Sequence, residues 1–118
     1  MKPWKMYEYS GCSTCKQALK FLEAKKISFE KIDITSKPPS KNELQRMLKF
    51  YKGELRKLFN TSGLVYKEMK LAEKLPGMNE AEALALLEKN GRLVKRPFLL
   101  GEKSGVVGFK EEEWKKIL

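Results

Sequence analysis

Apolar and polar residues alternate from Trp4 to Tyr9, which predicts a short strand with Met6 and Tyr7 as core candidates. Further on the period changes. Ala18, Leu19, Phe21 and Leu22 recur at the spacing of one helix face, so a helix runs from a turn at Cys12–Cys15 to about Lys25 and Lys26. Two cations suit the negative end of its dipole. Ile27 to Ile34 alternates again and reads as a second strand. Strand, helix and strand in that order make a βαβ unit, with parallel strands and a right-handed connection.

Thr35 to Pro39 breaks the pattern, and Ser40 with Glu43 has the spacing of a capping box that opens a new helix. Leu44, Met47, Leu48 and Tyr51 form its stripe, and Gly53 ends it. A short helix over Leu55, Leu58 and Phe59 leads to a polar turn at Asn60–Gly63. Another helical turn or two follows between Tyr66 and Leu75, stopped by Pro76 and Gly77. Asn79 with Glu82 caps the next helix, lined by Ala83, Leu84, Leu86 and Leu87, and Asn90-Gly91 is its stop signal. These aliphatic stripes read as core. Arg96–Leu100 and Gly105–Phe109 are short apolar runs joined by a polar loop, which is a hairpin. A last helix starts at about Lys110, with Glu111 to Glu113 in its first turn and Lys115 and Lys116 in its last. Pro97 cannot donate to a sheet ladder, so it belongs at an edge or in a cis Arg96-Pro97 bond. The whole is an α/β chain with a mixed four-stranded sheet.

Composition narrows the setting. At 118 residues, 42% of them apolar, the chain is one domain with a single core. No apolar run approaches the roughly 20 residues of a membrane span. Met1–Lys5 lacks the apolar region of a leader, and the only thiols are one closely spaced pair, so a reducing cytoplasm is expected. The net charge of +10 is unusual, but lysines spread over the whole chain and alternate with acids. That describes a solvated surface that steers small anions or acidic partners, without direct nucleic-acid binding. The chain has no histidine, which removes Ser-His-Asp and Cys-His catalysis. Nucleotide chemistry has no Walker loop or GxGxxG run to stand on.

The chemistry therefore rests on Tyr9-Ser10-Gly11-Cys12-Ser13-Thr14-Cys15-Lys16, a strand-to-helix turn. The first turn of a helix carries unpaired N–H groups and partial positive charge, both of which favour a thiolate. Cys12 is expected to have a lowered pKa and to be the nucleophile. Cys15, one turn on and on the same face, lies within the Cα separation of about 4.4–6.8 Å that a disulfide tolerates, so it can resolve what Cys12 attacks. A structural disulfide closing so short a loop would stabilise little. A zinc cage cannot be completed in one chain, which leaves no metal site. Two inert thiols are the ordinary reading of scattered cysteines, but the spacing and the βαβ setting match a thioredoxin-like redox motif.

Four stretches together carry a family likeness: the cysteine turn, Leu58–Gly63 with Tyr66, Leu93–Pro97, and Val107–Lys110. Through them the chain resembles the ArsC/Spx family, a thioredoxin-fold group of glutaredoxin-coupled arsenate reductases and Spx-type redox regulators. The resemblance spans nearly the full length. It implies a thioredoxin-like fold in the order β-α-β, helical insertion, β-β-α, with 1–35 and 92–118 as its core, 36–91 as an inserted helical subdomain, and a cis Pro97 facing the cysteine turn. In such reductases a cysteine matching Cys12 attacks arsenic, and glutathione with glutaredoxin, or thioredoxin, supplies the electrons; no cofactor is bound. The arginine matching Arg96 holds the oxyanion, for which a planar guanidinium fork is suited. Ser10, Ser13, Thr14, Asn60, Pro97 and Lys110 fall where substrate contacts are implied. The reductases carry arginine at the positions of Asn60 and near Lys110, and tend to carry histidine at that of Glu8, whose charge would raise the pKa of Cys12 if it pointed inward. Two functions follow: a cytoplasmic thiol oxidoreductase acting on an oxyanion or disulfide, or an Spx-like switch whose partner is RNA polymerase.

Overall fold

A computed structural model describes residues 3–118; Met1 and Lys2, part of the stretch read for a leader, lie outside them. The expected βαβ unit is present as β1 (Trp4–Glu8), α1 (Ser13–Ala24) and β2 (Phe29–Asp33), with β1 and β2 parallel and Tyr7 beside Ile32. The hairpin β3 (Phe98–Leu100) and β4 (Gly105–Val107) completes a sheet of order β2-β1-β3-β4, β3 running antiparallel to both neighbours. Strand β3 is shorter than the apolar run suggested. Arg96-Pro97 is a cis bond, and the chain joins the ladder only after the residue that has no N–H to give.

Between β2 and β3 the chain is helical: α2 (Lys41–Phe50), a 3₁₀ turn (Leu55–Leu58), α3 (Leu64–Glu68), α4 (Leu71–Lys74) and α5 (Glu80–Lys89). Both capping boxes form, Ser40 with Glu43 and Asn79 with Glu82. The helical run stops at Pro76 and Gly77 as the pattern predicted: α4 gives way to a 3₁₀ turn, Leu75–Gly77, and Met78 beyond it is extended. A further break falls earlier, at Lys70, which adopts a left-handed φ of 55°. Gly91 does follow the end of α5, but for another reason than a left-handed cap. A Cβ there would lie 1.8 Å from the Ile34 carbonyl oxygen, so the close approach of two backbones demands glycine.

Side chains alternate across a strand, so a sheet covered on both faces buries consecutive residues. Met6, Leu99 and Val106 point to one side, against Ala18, Phe21 and Leu22 of α1 and Trp114 of α6 (Glu111–Ile117). Tyr7, Ile32, Phe98 and Val107 point to the other, against Leu44, Met47, Leu84 and Leu87 of the helical stretch. Trp114 is fully buried and donates its indole N–H to the Gly108 carbonyl at 2.9 Å, so its one polar atom is satisfied. Among the described residues, no helix is long and apolar enough to cross a membrane.

Candidate active site around the cysteine turn

Strand β1 ends at Glu8, and the chain turns into α1 with Cys12 as the residue that caps it. The turn is closed by the Cys12 amide, which donates to the Tyr9 carbonyl at 3.0 Å. Cys12 has extended backbone angles and is half-buried, and its Sγ accepts a hydrogen bond from the Cys15 amide at 3.2 Å. An oxygen usually fills this capping role; here a sulfur holds the place, against a helix N–H that would otherwise be unpaired.

Cys15 differs in its access to solvent. It is fully buried in the first turn of α1, and both thiols are free. Burial, followed by the hydrogen bond with Cys12, pushes the Cys15 thiol up to about 12, with a small addition from the charge of Glu8. Glu8, whose direction the sequence leaves open, is 8% exposed. Its negative charge falls on the buried second sulfur.

Arg96 comes to the turn from the opposite end of the chain. Its guanidinium carbon stands 4.8 Å from the centre of the Tyr9 ring, and cation–π contact with an aromatic face orients a planar guanidinium. The cis bond to Pro97, itself buried, fixes the backbone from which Arg96 extends. Next to it opens a cleft of about 620 Å³ whose walls include Thr14, Thr61, Lys95, Arg96, Phe109 and Lys110.

Of the residues singled out from the sequence, Thr14, Arg96 and Lys110 thus share one cleft; neither cysteine is on its wall, and Cys12 precedes Thr14 by two positions in the turn. Ser10 and Ser13 are exposed and flank Cys12 outside the cleft wall. Asn60 is not on that wall either. Its side chain turns into its own loop, where the Asn60 amide nitrogen would stand 2.6 Å from a Cβ on Gly63 and its oxygen accepts from the Ser62 hydroxyl at 3.5 Å. The sequence reading missed Arg56, Lys57 and Lys95 as cleft residues. Only the adjacency of Lys95 to Arg96 could have signalled one of them; Arg56 and Lys57 reach the cleft through a 3₁₀ turn that was read for its leucines alone.

A mixed sheet with helices on both faces and a Cys-x-x-Cys turn capping α1 defines a thioredoxin-like α/β protein. The family model of the ArsC family matches residues 7–117, and the chain belongs to that family. It is 42% identical over 110 residues to the uncharacterized protein YusI of Bacillus subtilis, covering 93% of each chain. The global transcriptional regulator Spx of Streptococcus agalactiae is 28% identical over 92% of this chain and 77% of its own length. Among solved structures, an ArsC-family-related protein from Bacteroides fragilis superposes with a TM-score of 0.92 at 43% identity, covering 99% and 98% of the two chains. A possible arsenate reductase from Streptococcus mutans follows with a TM-score of 0.87 at 36% identity, over 95% and 97%.

Proposed function

We propose that the protein is a thiol oxidoreductase in which Cys12 attacks, Cys15 resolves and Arg96 holds an anionic group of the substrate. The observation that carries this reading is the unequal pair of sulfurs: one half-exposed and bonded to a helix amide, one sealed and held protonated, in a turn whose Tyr9 ring orients the Arg96 guanidinium. On a disulfide, the Cys12 thiolate bonds to one sulfur while the S–S bond breaks, and the departing sulfur takes the electron pair and a proton from solvent. Cys15 then loses its proton and attacks Cys12, which releases the second sulfur and leaves Cys12–Cys15 oxidised. On arsenate, the Cys12 thiolate would bond to arsenic as one As–O bond breaks and its oxygen leaves, protonated, as water, with Arg96, Lys110 and the Thr14 hydroxyl as ligands for the remaining oxygens. Two electrons from the thiol reductant then release arsenite and the Cys12 thiol. A thiol reductant of the glutathione, glutaredoxin or thioredoxin class returns two electrons in either case. In this reading residues 1–35 and 92–118 supply the sulfurs and Arg96, and the insertion 36–91 supplies the far wall of the cleft.

The test is turnover of hydroxyethyl disulfide and of arsenate, with glutathione plus glutaredoxin, or thioredoxin, coupled to NADPH consumption. Cys12→Ser should abolish turnover, and Cys15→Ser should trap a covalent adduct on Cys12 visible by mass. Wild-type activity equal to that of Cys12→Ser would end the proposal. The kinship with Spx supports a second reading, a redox-switched regulator bound to RNA polymerase. Absence of polymerase from a pull-down under both oxidising and reducing conditions disposes of it.

A further inference from the structure

The cleft lined by Thr14 and Arg96 is larger and more cationic than an oxyanion needs. Its volume of about 620 Å³ lies in the range that encloses ligands of drug or short-peptide size. Five cations (Arg56, Lys57, Lys95, Arg96 and Lys110) line it against two carboxylates, Glu54 and Glu113. A tetrahedral anion held by Arg96 and Lys110 leaves Arg56, Lys57 and Lys95 for other groups of a larger ligand.

Nor does the depression stop there. A second cavity of about 610 Å³ opens on the helical stretch and shares Arg56 and Thr61 with the first. Its walls include Leu55, Tyr66, Leu75, Pro76 and Met78, so beyond Arg56 the surface changes from cationic to apolar. A cationic cavity with Thr14, two residues from Cys12, on its wall, and an apolar cavity that shares Arg56 and Thr61 with it, sort ligands by order as well as by charge. A small anion fills only the first part of this groove.

We infer that the groove binds an extended polypeptide segment that presents a disulfide-bonded cysteine to Cys12, with acidic side chains on the cationic stretch and an apolar side chain in the cavity beyond Arg56. The inference rests on the oxidoreductase reading for its chemistry and narrows the substrate to a peptide disulfide. The exchange is the one written above: the segment's cysteine leaves as a thiol, Cys12 and Cys15 become a disulfide, and the same class of thiol reductant restores them. Complementary charge gives the segment its orientation and on-rate, and the apolar anchor adds affinity that charge alone does not supply.

Binding and turnover are measured separately on the full chain. Fluorescein-labelled peptides carry serine in place of cysteine, with two glutamates beside it and a leucine several residues on; in the controls lysine replaces glutamate, or serine replaces leucine. Anisotropy should show each control binding at least about tenfold more weakly, a difference of about 1.4 kcal/mol. Arg56→Glu and Met78→Glu, each checked for an unchanged thermal melt, should weaken the parent peptide by a similar factor. For turnover, the cysteine-containing peptide is supplied as a mixed disulfide and compared with hydroxyethyl disulfide. The ratio of their kcat/KM values should fall about tenfold in either variant. Equal binding of all three peptides, no binding of the parent, or an unchanged ratio would overturn the groove. A wild-type protein that binds the parent peptide with the expected order yet reduces no disulfide upholds the groove and sinks the oxidoreductase reading instead.

Discussion

Two glutamates in this protein are equally buried, each 8% exposed, and they are treated in opposite ways. Glu43 lies in the first turn of α2, where its carboxylate receives the Tyr7 hydroxyl at 2.7 Å, the Lys5 ammonium at 3.0 Å and the Ser40 amide at 3.0 Å. No side-chain hydrogen bond among the described residues reaches Glu8, which ends β1 where the chain enters the cysteine turn. A buried charge is stabilising only when its lost hydration is replaced. Glu43 is therefore a strut between the helical stretch and the sheet. Glu8 has no protein partner among the described residues, but its carboxylate oxygens are not sealed from solvent, so water serves them and it ties no two elements together.

The largest effect should come from breaking the strut. Glu43→Ala removes one end of a capping box and leaves the Tyr7 hydroxyl and the Lys5 ammonium without their partner, which together should cost about 3 kcal/mol. Urea unfolding reads this as a lower midpoint at unchanged slope. A loss under 1 kcal/mol would mean that water replaces Glu43 without difficulty. Glu8→Ala is the counterpart and should change stability by no more than about 1 kcal/mol in either direction, because nothing is left unpaired.

Acid probes the same difference at smaller amplitude. Burial alone would raise the Glu43 carboxyl, but the Tyr7 hydroxyl, the Ser40 amide and the Lys5 ammonium together hold it below its ordinary 4.5. The unfolded chain then binds a proton at Glu43 more readily than the folded one. Stability from this group is fully present above about 4.5 and is lost as pH falls from there through the lower folded value. Tyr7 works at the other end, its hydroxyl pushed up first by burial and then by Glu43, so its contribution fades as pH rises past its ordinary 10.0. Unfolding midpoints of wild type and Glu43→Gln should therefore converge at acid pH and separate near neutrality. Parallel curves would remove Glu43 as the source.

How much of this could be read in advance differs between the two carboxylates. The capping box of Glu43 was legible, because Ser40 and Glu43 are three residues apart and the physics is local. Its second role was not: Tyr7 lies 36 positions away and meets Glu43 only once α2 packs on the sheet. The βαβ unit, the hairpin and both capped helices were readable for the same local reason. Gly91 was placed correctly as a boundary while its cause, the Ile34 carbonyl, belongs to another element. In the site, Cys12, Cys15 and Arg96 stood out because each is rare or sits beside a proline. Arg56 and Lys57 are two of 25 basic residues, and only the fold distinguishes them from the rest.

The smallest effect is also the most specific to Glu8. The Cys15 thiol is held up to about 12 first by burial, then by its contact with Cys12, and last by the charges of Cys12 and Glu8. Glu8→Gln keeps the shape and removes one charge, so the thiol should ionise at lower pH, by less than burial alone contributes. In a Cys12→Ser background Cys15 is the only thiol, and the NMR shift of its labelled Cβ carbon can be followed against pH without a reagent entering the core and apart from the four tyrosines, which ionise in the same range. The titration midpoint of Cys12→Ser/Glu8→Gln should fall below that of Cys12→Ser. Glu43→Gln in the same background should leave it in place, since its carboxylate is already matched by Tyr7 and Lys5. If both substitutions moved the midpoint equally, or if Glu8→Gln raised it, the two buried glutamates would not differ in the way their hydrogen bonds imply. The carboxylate beside the sulfurs would then be acting through the packing of α1 against β1, with its charge of no consequence.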